Sequence, residues 1–263
     1  MVDVESALAF VAHQGNKVEQ ARLKYLLAQE APSQAVISQL LAGQREDGGW
    51  APFWAADYSS LDATCFRLAQ AEQLGFNHSH AAVTRAVKFL AVRQRAEGSW
   101  EEDTTAAAGA PRWVRPGDVA ARLYLTANCG FWLAMLGEQG SANRAAAYLQ
   151  ARLDENGHMP SFPHTHWLAA GLWYRLNWQE PAERIARYLG QQLTELTASN
   201  LAWLIITLRC AGVPARHTVV DQAASLLEQS QHQDGRWPSE DGADWDVHAT
   251  LEALRAMRLC GRF

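Results

Sequence analysis

A short pattern that recurs three times constrains the fold of this chain more than any other feature. The pattern is Q-x-x-[DE]-G-x-W, and it occupies residues 44–50, 94–100 and 231–237. A degenerate fourth copy surrounds Gly157, with Leu153 in place of the glutamine and Met159 in place of the tryptophan. Repeats spaced by tens of residues are typical of folds that stack one small supersecondary unit.

Apolar residues with helical spacing lie before and after each copy, so the repeated unit is helix, glycine turn, helix. Two further helix pairs lack the turn pattern, at residues 4–13 with 18–28 and 182–192 with 195–211. No stretch shows the sustained alternation of a strand. The sequence therefore predicts an all-α protein of twelve helices in six antiparallel hairpins. Six hairpins side by side can close into a ring, an α6/α6 toroid barrel formed as a single domain by residues 1–263.

The turn pattern itself has a structural interpretation. Asp-Gly or Glu-Gly makes a tight turn, because glycine tolerates positive φ. The glutamine amide can satisfy backbone groups at a neighbouring helix end, and the tryptophan can cover that junction. We therefore predict that Trp50, Trp100 and Trp237 lie at junctions between hairpins and bind no ligand.

Composition excludes several classes of protein. The net charge of −5 gives no basic surface for nucleic acid. No apolar run approaches the roughly 20 residues of a membrane span, and the first residues lack the pattern of a signal peptide. The four cysteines are widely spaced, which indicates free buried thiols in a reducing compartment and not a disulfide framework. A cytoplasmic location is the expectation.

The repeated pattern resembles the QW motif of squalene–hopene cyclases and plant terpene cyclases. Protein prenyltransferase β subunits share the same ring of hairpins. The resemblance is clearest over residues 37–75, 81–137 and 222–261. It implies an α/α toroid whose cavity, at the N-terminal ends of the inner helices, accepts an isoprenoid or similar apolar molecule. The motif is specific for the fold and weak for the activity.

A polar layer emerges when the inner helices are aligned on the residues that end them. Aligning Gly75, Gly137, Asn177, Gly212 and Gly261 brings five polar residues to one level. They are Asp62, Tyr124, His164, Ser199 and His248. Each residue taken alone can have a purely structural role, such as a carboxylate in the first turn of a helix or a buried imidazole. Together they predict the floor of a functional pocket, because burying several polar groups without purpose is costly. Asp62, His164 and His248 are the candidate catalytic residues of this layer.

A fourth candidate catalytic residue, Asp246, comes from the resemblance. Asp244 and Asp246 lie where class II terpene cyclases carry D-x-D-D, whose central aspartate protonates an alkene or epoxide. Val247 replaces one aspartate, so the match is partial. The resemblance to prenyltransferases points instead to His248 as a zinc ligand. Zinc, held by Asp62, His164 and His248, is the candidate cofactor, although no ligand spacing here is diagnostic.

Residues 101–116 form the longest irregular segment, and such segments are often lids. Arg115 at its end and Arg122 just beyond could hold a diphosphate, or they could simply be solvated. The predicted substrate-binding residues are Tyr58, Asp244, Tyr124, Arg115, Arg122, Trp167, Ser199 and Trp203. Aromatic members of this set could stabilise a carbocation.

Two functions from different classes remain open at this level. One is a terpene cyclase-like or prenyltransferase-like enzyme acting on an isoprenoid. The other is a non-catalytic toroid that binds an apolar ligand or a partner and has lost the cyclase acid. The enzyme is the preferred prediction, whereas the incomplete D-x-D-D favours the second function.

Overall fold

The computed structural model describes residues 2–263, except the side chain of Ala106. Within this part of the chain there are twelve α-helices and no strand. The helices are α1 Val4–Gln14, α2 Lys17–Ala28, α3 Gln34–Leu41, α4 Leu61–Glu72, α5 Ala81–Val92, α6 Val119–Met135, α7 Gln139–Gln150, α8 Pro163–Arg175, α9 Gln179–Gln192, α10 Ala198–Cys210, α11 Thr218–Gln229 and α12 Asp246–Leu259. The all-α prediction is confirmed.

Local sequence explains where several helices begin. Asn16 caps α2, and Glu19 bonds back to it in a capping box. The Asp118 side chain accepts hydrogen bonds from two backbone N–H groups at the start of α6. Pro163 occupies the first position of α8, where its missing N–H costs nothing. These signals lie within three residues of the helix that they start.

The chain divides into two compact units. The central unit is Leu40–Ile185, and the terminal unit joins the stretch ending at Gln39 to Ala186–Phe263. In the central unit α4 packs on α6 and α6 on α8, while α5 and α7 back them. In the terminal unit α10 packs on α12 and α12 on α2, backed by α11 and α1. Each unit therefore places three even-numbered helices side by side, and the six-hairpin ring remains a prediction.

Each motif turn is joined to the start of an odd-numbered helix. Each motif glutamine donates from Nε2 to the glycine carbonyl of its own turn. The same amide also donates to a backbone carbonyl at the start of an odd-numbered helix. These bonds join Gln44 to Ala82 at 2.8 Å, Gln94 to Ser141 at 2.9 Å, and Gln231 to Asp3 at 2.9 Å. The last of these bonds connects the final motif to the residue that caps α1. The two ends of the chain therefore meet inside the terminal unit.

Gly235 shows why the motif needs glycine. Its φ is +85°, and a Cβ there would lie 2.5 Å from the Cβ of Ser6. Any other residue would have to push α1 away from the turn. The tryptophans that close the motifs are buried, and the indoles of Trp100 and Trp237 donate to Leu90 and Leu227. Each of these bonds satisfies a carbonyl in the last turn of the preceding helix.

No helix among the residues described is long and apolar enough to cross a membrane.

Candidate functional site

Hydrogen bonds from the motif turns fix the register of four even-numbered helices. The backbone N–H that closes each motif donates to a side chain on the helix that follows. The pairs are Trp50 to Thr64 at 3.2 Å, Trp100 to Thr126 at 3.1 Å, Met159 to His166 at 3.1 Å and Trp237 to Thr250 at 3.0 Å. Two residues before each acceptor stand Asp62, Tyr124, His164 and His248. These four residues therefore occupy equivalent positions in their hairpins.

The Asp62 carboxyl is the centre of a hydrogen-bonded group in the central unit. The Tyr124 hydroxyl donates to Oδ1 at 2.8 Å, and the Trp113 indole donates to Oδ2 at 3.2 Å. The Asn128 amide donates in turn to the Tyr124 hydroxyl at 3.3 Å. Tyr124 and Asn128 are buried on α6, whereas Trp113 lies partly exposed on a short 3₁₀ helix, Arg112–Val114. Two elements, α6 and the 3₁₀ helix, therefore hold a carboxyl group carried by α4.

Burial dominates the electrostatics of this group. Burial raises the pKa of Asp62 above its ordinary value, although the hydrogen bonds from Tyr124, Trp113 and Asn128 oppose the shift. The pKa of Tyr124 is raised well above that of a free phenol, first by burial and then by the Asp62 charge. A carboxyl group in such surroundings keeps its proton to a higher pH than an exposed one does. Asp62 is therefore suited to donate a proton.

Aromatic rings surround the same position. The ring centroids of Tyr124 and His164 lie 6.2 Å apart, and those of His164 and Trp167 lie 4.9 Å apart, both edge to face. Phe162 meets Tyr124 edge to face at 6.4 Å. Trp167 is fully buried in α8. The central unit thus brings together four of the residues predicted from the sequence, and aromatic faces beside an acid can stabilise a cation.

Tyr58 and Arg122, both predicted to bind substrate, are engaged by neighbouring glutamates. The Tyr58 hydroxyl donates to Glu102 at 2.6 Å. Arg122 forms an ion pair with Glu101 at 3.1 Å, and Arg95 pairs with the same carboxylate. Both side chains therefore hold the segment after Trp100 in place. Arg115 is exposed at the end of that segment.

His248 lies in a different setting, in the terminal unit. The Arg22 guanidinium approaches its Nδ1 at 3.3 Å, and the same guanidinium pairs with Glu252. Burial lowers the pKa of His248; the charge of Glu252 opposes this shift, and that of Arg22 adds to it. Since Arg22 is itself buried, His248 belongs to an interior charged group on α2 and α12.

Asp246 begins α12 and is buried. Its Oδ2 accepts from Arg236 at 2.8 Å, and its Oδ1 accepts from the backbone N–H of Ser239 at 2.7 Å. Both carboxylate oxygens are thus occupied by the turn that precedes the helix. Asp244 is exposed. The paired guanidinium favours the charged form of Asp246, so Asp246 ties the start of α12 to the preceding turn and is less suited than Asp62 to donate a proton.

Ser199 and Trp203 lie on α10, also in the terminal unit. Both are half-buried. The hydroxyl oxygen of Ser199 is buried without a hydrogen-bond partner among the residues described.

The zinc hypothesis finds no ligand set. Among the residues described, no group of three His, Cys, Asp or Glu side chains is placed to hold a metal ion. Asp62 and His164 lie in the central unit, while His248 lies in the terminal unit beside a buried arginine.

Sequence reasoning missed Glu102, Asn128 and the buried Arg22. Glu102 is 2% exposed and lies two residues after Trp100, where the other complete motifs carry Pro52 and Ser239. The unusual Glu-Glu pair after this motif was the available signal. Arg22 gave no signal, because its partners are more than 200 positions away.

A comparison with family models identifies the class of protein. A family model for the squalene-hopene cyclase C-terminal domain matches residues 20–172, more than half of the chain. The chain belongs to this family. A comparison with curated protein sequences gives no significant match.

Solved structures agree with this assignment of the fold. A protein from Actinoplanes shares 16% identity, with a TM-score of 0.65 and 98% of each chain covered. A single-substitution variant of the type II terpene cyclase MstE from Scytonema, in a complex with the substrate geranylgeranyl dihydroxybenzoate, shares 14% identity. Its TM-score is 0.64, covering 98% of this chain and 96% of that one. A complex of MstE with its product, merosterolic acid A, shares 13% identity, has a TM-score of 0.63 and gives the same coverage. At these identities the likeness establishes the fold.

Proposed function

We propose that this protein is a terpene cyclase-like enzyme that begins the cyclisation of a prenylated apolar substrate by protonating an alkene, with Asp62 as the acid. The observation that carries the proposal is the Asp62 carboxyl itself. It is held by Tyr124 and Trp113, its pKa is raised by burial, and aromatic rings stand beside it. Membership of the squalene-hopene cyclase family supplies the reaction class.

The reaction would proceed by transfer of the Asp62 proton to one carbon of a terminal alkene. A C–H bond forms, the π bond breaks, and a tertiary cation is left on the neighbouring carbon. Attack by the next alkene of the chain closes a ring and moves the cation along. Loss of a proton from the last cation restores an alkene, so substrate and product are isomers. Tyr124, His164, Phe162 and Trp167 would face the cation with their rings.

The polar contacts suit this role for Asp62. The Tyr124 hydroxyl bond to Oδ1 orients the carboxyl, and it stabilises the carboxylate that remains after proton transfer. The His164 ring lies 6.2 Å from the Tyr124 ring and is a candidate for accepting the final proton. His248 and Asp246 are assigned supporting roles, because Arg22 and Arg236 already engage them.

The test is an incubation in deuterated water followed by mass spectrometry. The panel contains linear isoprenoids and prenylated aromatic acids, including geranylgeranyl dihydroxybenzoate. We expect a product that elutes apart from its substrate and, after protonation by an exchanged acid, contains one added deuterium. The variant Asp62→Asn should lose this product, and Glu155→Gln, which changes an exposed carboxylate of the same unit, should keep it. Full turnover by Asp62→Asn would disprove the assignment of the acid.

The alternative is a binder without catalysis, and the occupied Asp246 favours it. In that case the wild type and Asp62→Asn would bind the same prenylated ligand, and neither would convert it. Calorimetric titration of both proteins beside the turnover assay distinguishes the two functions.

A further inference from the structure

Glu102 is a buried carboxylate that accepts four hydrogen bonds at the start of α4. The hydroxyls of Tyr58 and Ser60 each donate at 2.6 Å. The backbone N–H groups of Leu61 and Asp62 donate at 3.1 and 3.3 Å. One side chain thus bonds the backbone of the residue proposed as the acid.

These contacts complete the N-terminal cap of α4. A helix leaves its first N–H groups without partners inside the helix. Ser60 satisfies one of them by accepting from Ala63 at 3.1 Å. Glu102 satisfies the two before it, and its carboxylate lies at the positive end of the helix dipole. The first turn of α4 is therefore fixed by a residue that is 40 positions away from Asp62.

The same glutamate also opens the segment that brings Trp113 to Asp62. The backbone N–H of Asp103 donates to the Tyr58 hydroxyl at 2.8 Å, so the chain after Glu102 is tied to the same cluster. At the far end of the segment, Glu101 accepts from the backbone N–H of Gly117. Trp113 lies between these two ties and reaches Oδ2 of Asp62.

We propose that Glu102 is the positioning residue for Asp62, joining the first turn of α4 to the segment that carries Trp113 and so holding the Asp62 carboxyl between Tyr124 and Trp113. The inference rests on the proposed function only for its catalytic consequence. The contacts themselves concern this chain alone.

The groups around Asp62 define what a test must control. Tyr124 and Asn128 face it from α6, Trp113 from the connecting segment, and Cys65 lies one turn along α4. Burial raises the pKa of Glu102 as well as that of Asp62. Substituting Glu102 can change the pKa of Asp62 in either direction. Entry of water would lower the pKa, whereas loss of hydrogen bonds to the carboxylate would raise it. The hydrogen bond between Trp113 and Asp62 is therefore a clearer readout of the position of the carboxyl than the pKa of Asp62 is.

The experiment follows the Trp113 indole by NMR in protein labelled with ¹⁵N-tryptophan, with the signal assigned from Trp113→Phe. In the wild type the indole N–H shift should titrate with the Asp62 carboxyl, and Asp62→Asn should abolish the titration. In Glu102→Gln the amplitude of this titration should fall to less than about half, because a neutral amide cannot accept all four bonds. If Glu102→Gln does not fold, the same titration is measured in Glu102→Asp, which keeps the charge and is one carbon shorter.

Asp47→Asn is the matched control, because Asp47 also accepts from a serine beside the start of α4, Ser59 at 2.9 Å, without contacting Asp62. It should leave the Trp113 titration unchanged. In the turnover assay kcat of the Glu102 variants should fall roughly tenfold to a hundredfold with KM little changed, as a displacement of about 1 Å can cause. An unchanged Trp113 titration in both Glu102 variants would overturn the inference. Failure of turnover in the wild type would count against the proposed function and leave the NMR result valid.

Discussion

The Tyr124 hydroxyl donates a 2.8 Å hydrogen bond to Oδ1 of Asp62, and the two residues hold equivalent positions on α6 and α4. The register that aligns them comes from the turns, where Trp50 and Trp100 donate to Thr64 and Thr126. A repeated structural bond thus places a phenol beside a carboxyl group. The pair is the basis of the first two predictions.

Asp62→Asn should remove a loss of stability that the wild type shows as pH rises to neutral. Because burial raises the pKa of Asp62 in the folded state, the folded protein binds the Asp62 proton more tightly than the unfolded chain does. That contribution to stability is present at low pH. It is lost as pH rises from the ordinary aspartate pKa through the raised one. Asparagine has no such loss, so the free energy of unfolding in urea should favour the variant more at pH 7 than at pH 4. Equal differences at both pH values would contradict this prediction.

Tyr124→Phe should raise the pKa of Asp62 further. The hydroxyl donates to the ionised carboxylate and stabilises it, so its removal favours the protonated form. If Asp62 is the acid, activity should persist to higher pH in the variant, since the acid keeps its proton longer. A carbon-13 titration of labelled aspartate carboxyls measures the shift directly. Tyr25→Phe, on α2, is the control and should leave the Asp62 signal where it is.

Thr250→Val should destabilise the protein by about 1–3 kcal/mol, because it leaves the buried N–H of Trp237 without its acceptor. Valine matches threonine in shape, so little of the cost comes from packing. Thr250→Ser keeps the hydroxyl and should retain most of that hydrogen-bond stability. Chemical denaturation of both variants gives the comparison. A valine variant as stable as the wild type would show that the bond contributes nothing.

His166 should make the protein less stable in acid. Burial lowers its pKa to about 4, and its Nε2 accepts from the backbone N–H of Met159. A histidine with a lowered folded pKa stabilises fully above its unfolded value of about 6.5, and the stabilisation is lost as pH falls towards 4. The full loss is about 3 kcal/mol. His166→Thr, which restores the residue found in the other repeats, should remove this dependence. The difference in unfolding free energy between the two proteins across that range measures it.

Much of the fold could be predicted because its signals are local. Helical spacing, capping residues such as Asn16 and Asp118, and the glycine turns act within a few positions along the chain. The twelve helices accordingly match the expected number. The alignment of Asp62 with Tyr124, His164 and His248 could also be predicted from the sequence, because turns with the same sequence pattern give the following helices the same register.

Only the tertiary structure separated the candidate catalytic residues from one another by their contacts. Asp62 and His248 hold equivalent positions in the repeat, yet Asp62 meets Tyr124 and Trp113, while His248 meets Arg22. Asp246 matched part of a cyclase motif, but the Arg236 guanidinium occupies its carboxylate.

The sequence by itself determined the helices, the repeat and the level at which polar side chains lie. Only the tertiary structure decided which of those side chains meets a phenol, which meets a cation, and that Glu102 holds the start of α4. The physical reason is that a side chain's pKa and role depend on partners within a few ångströms. Those partners come from helices far apart in the chain, whose packing no local pattern encodes.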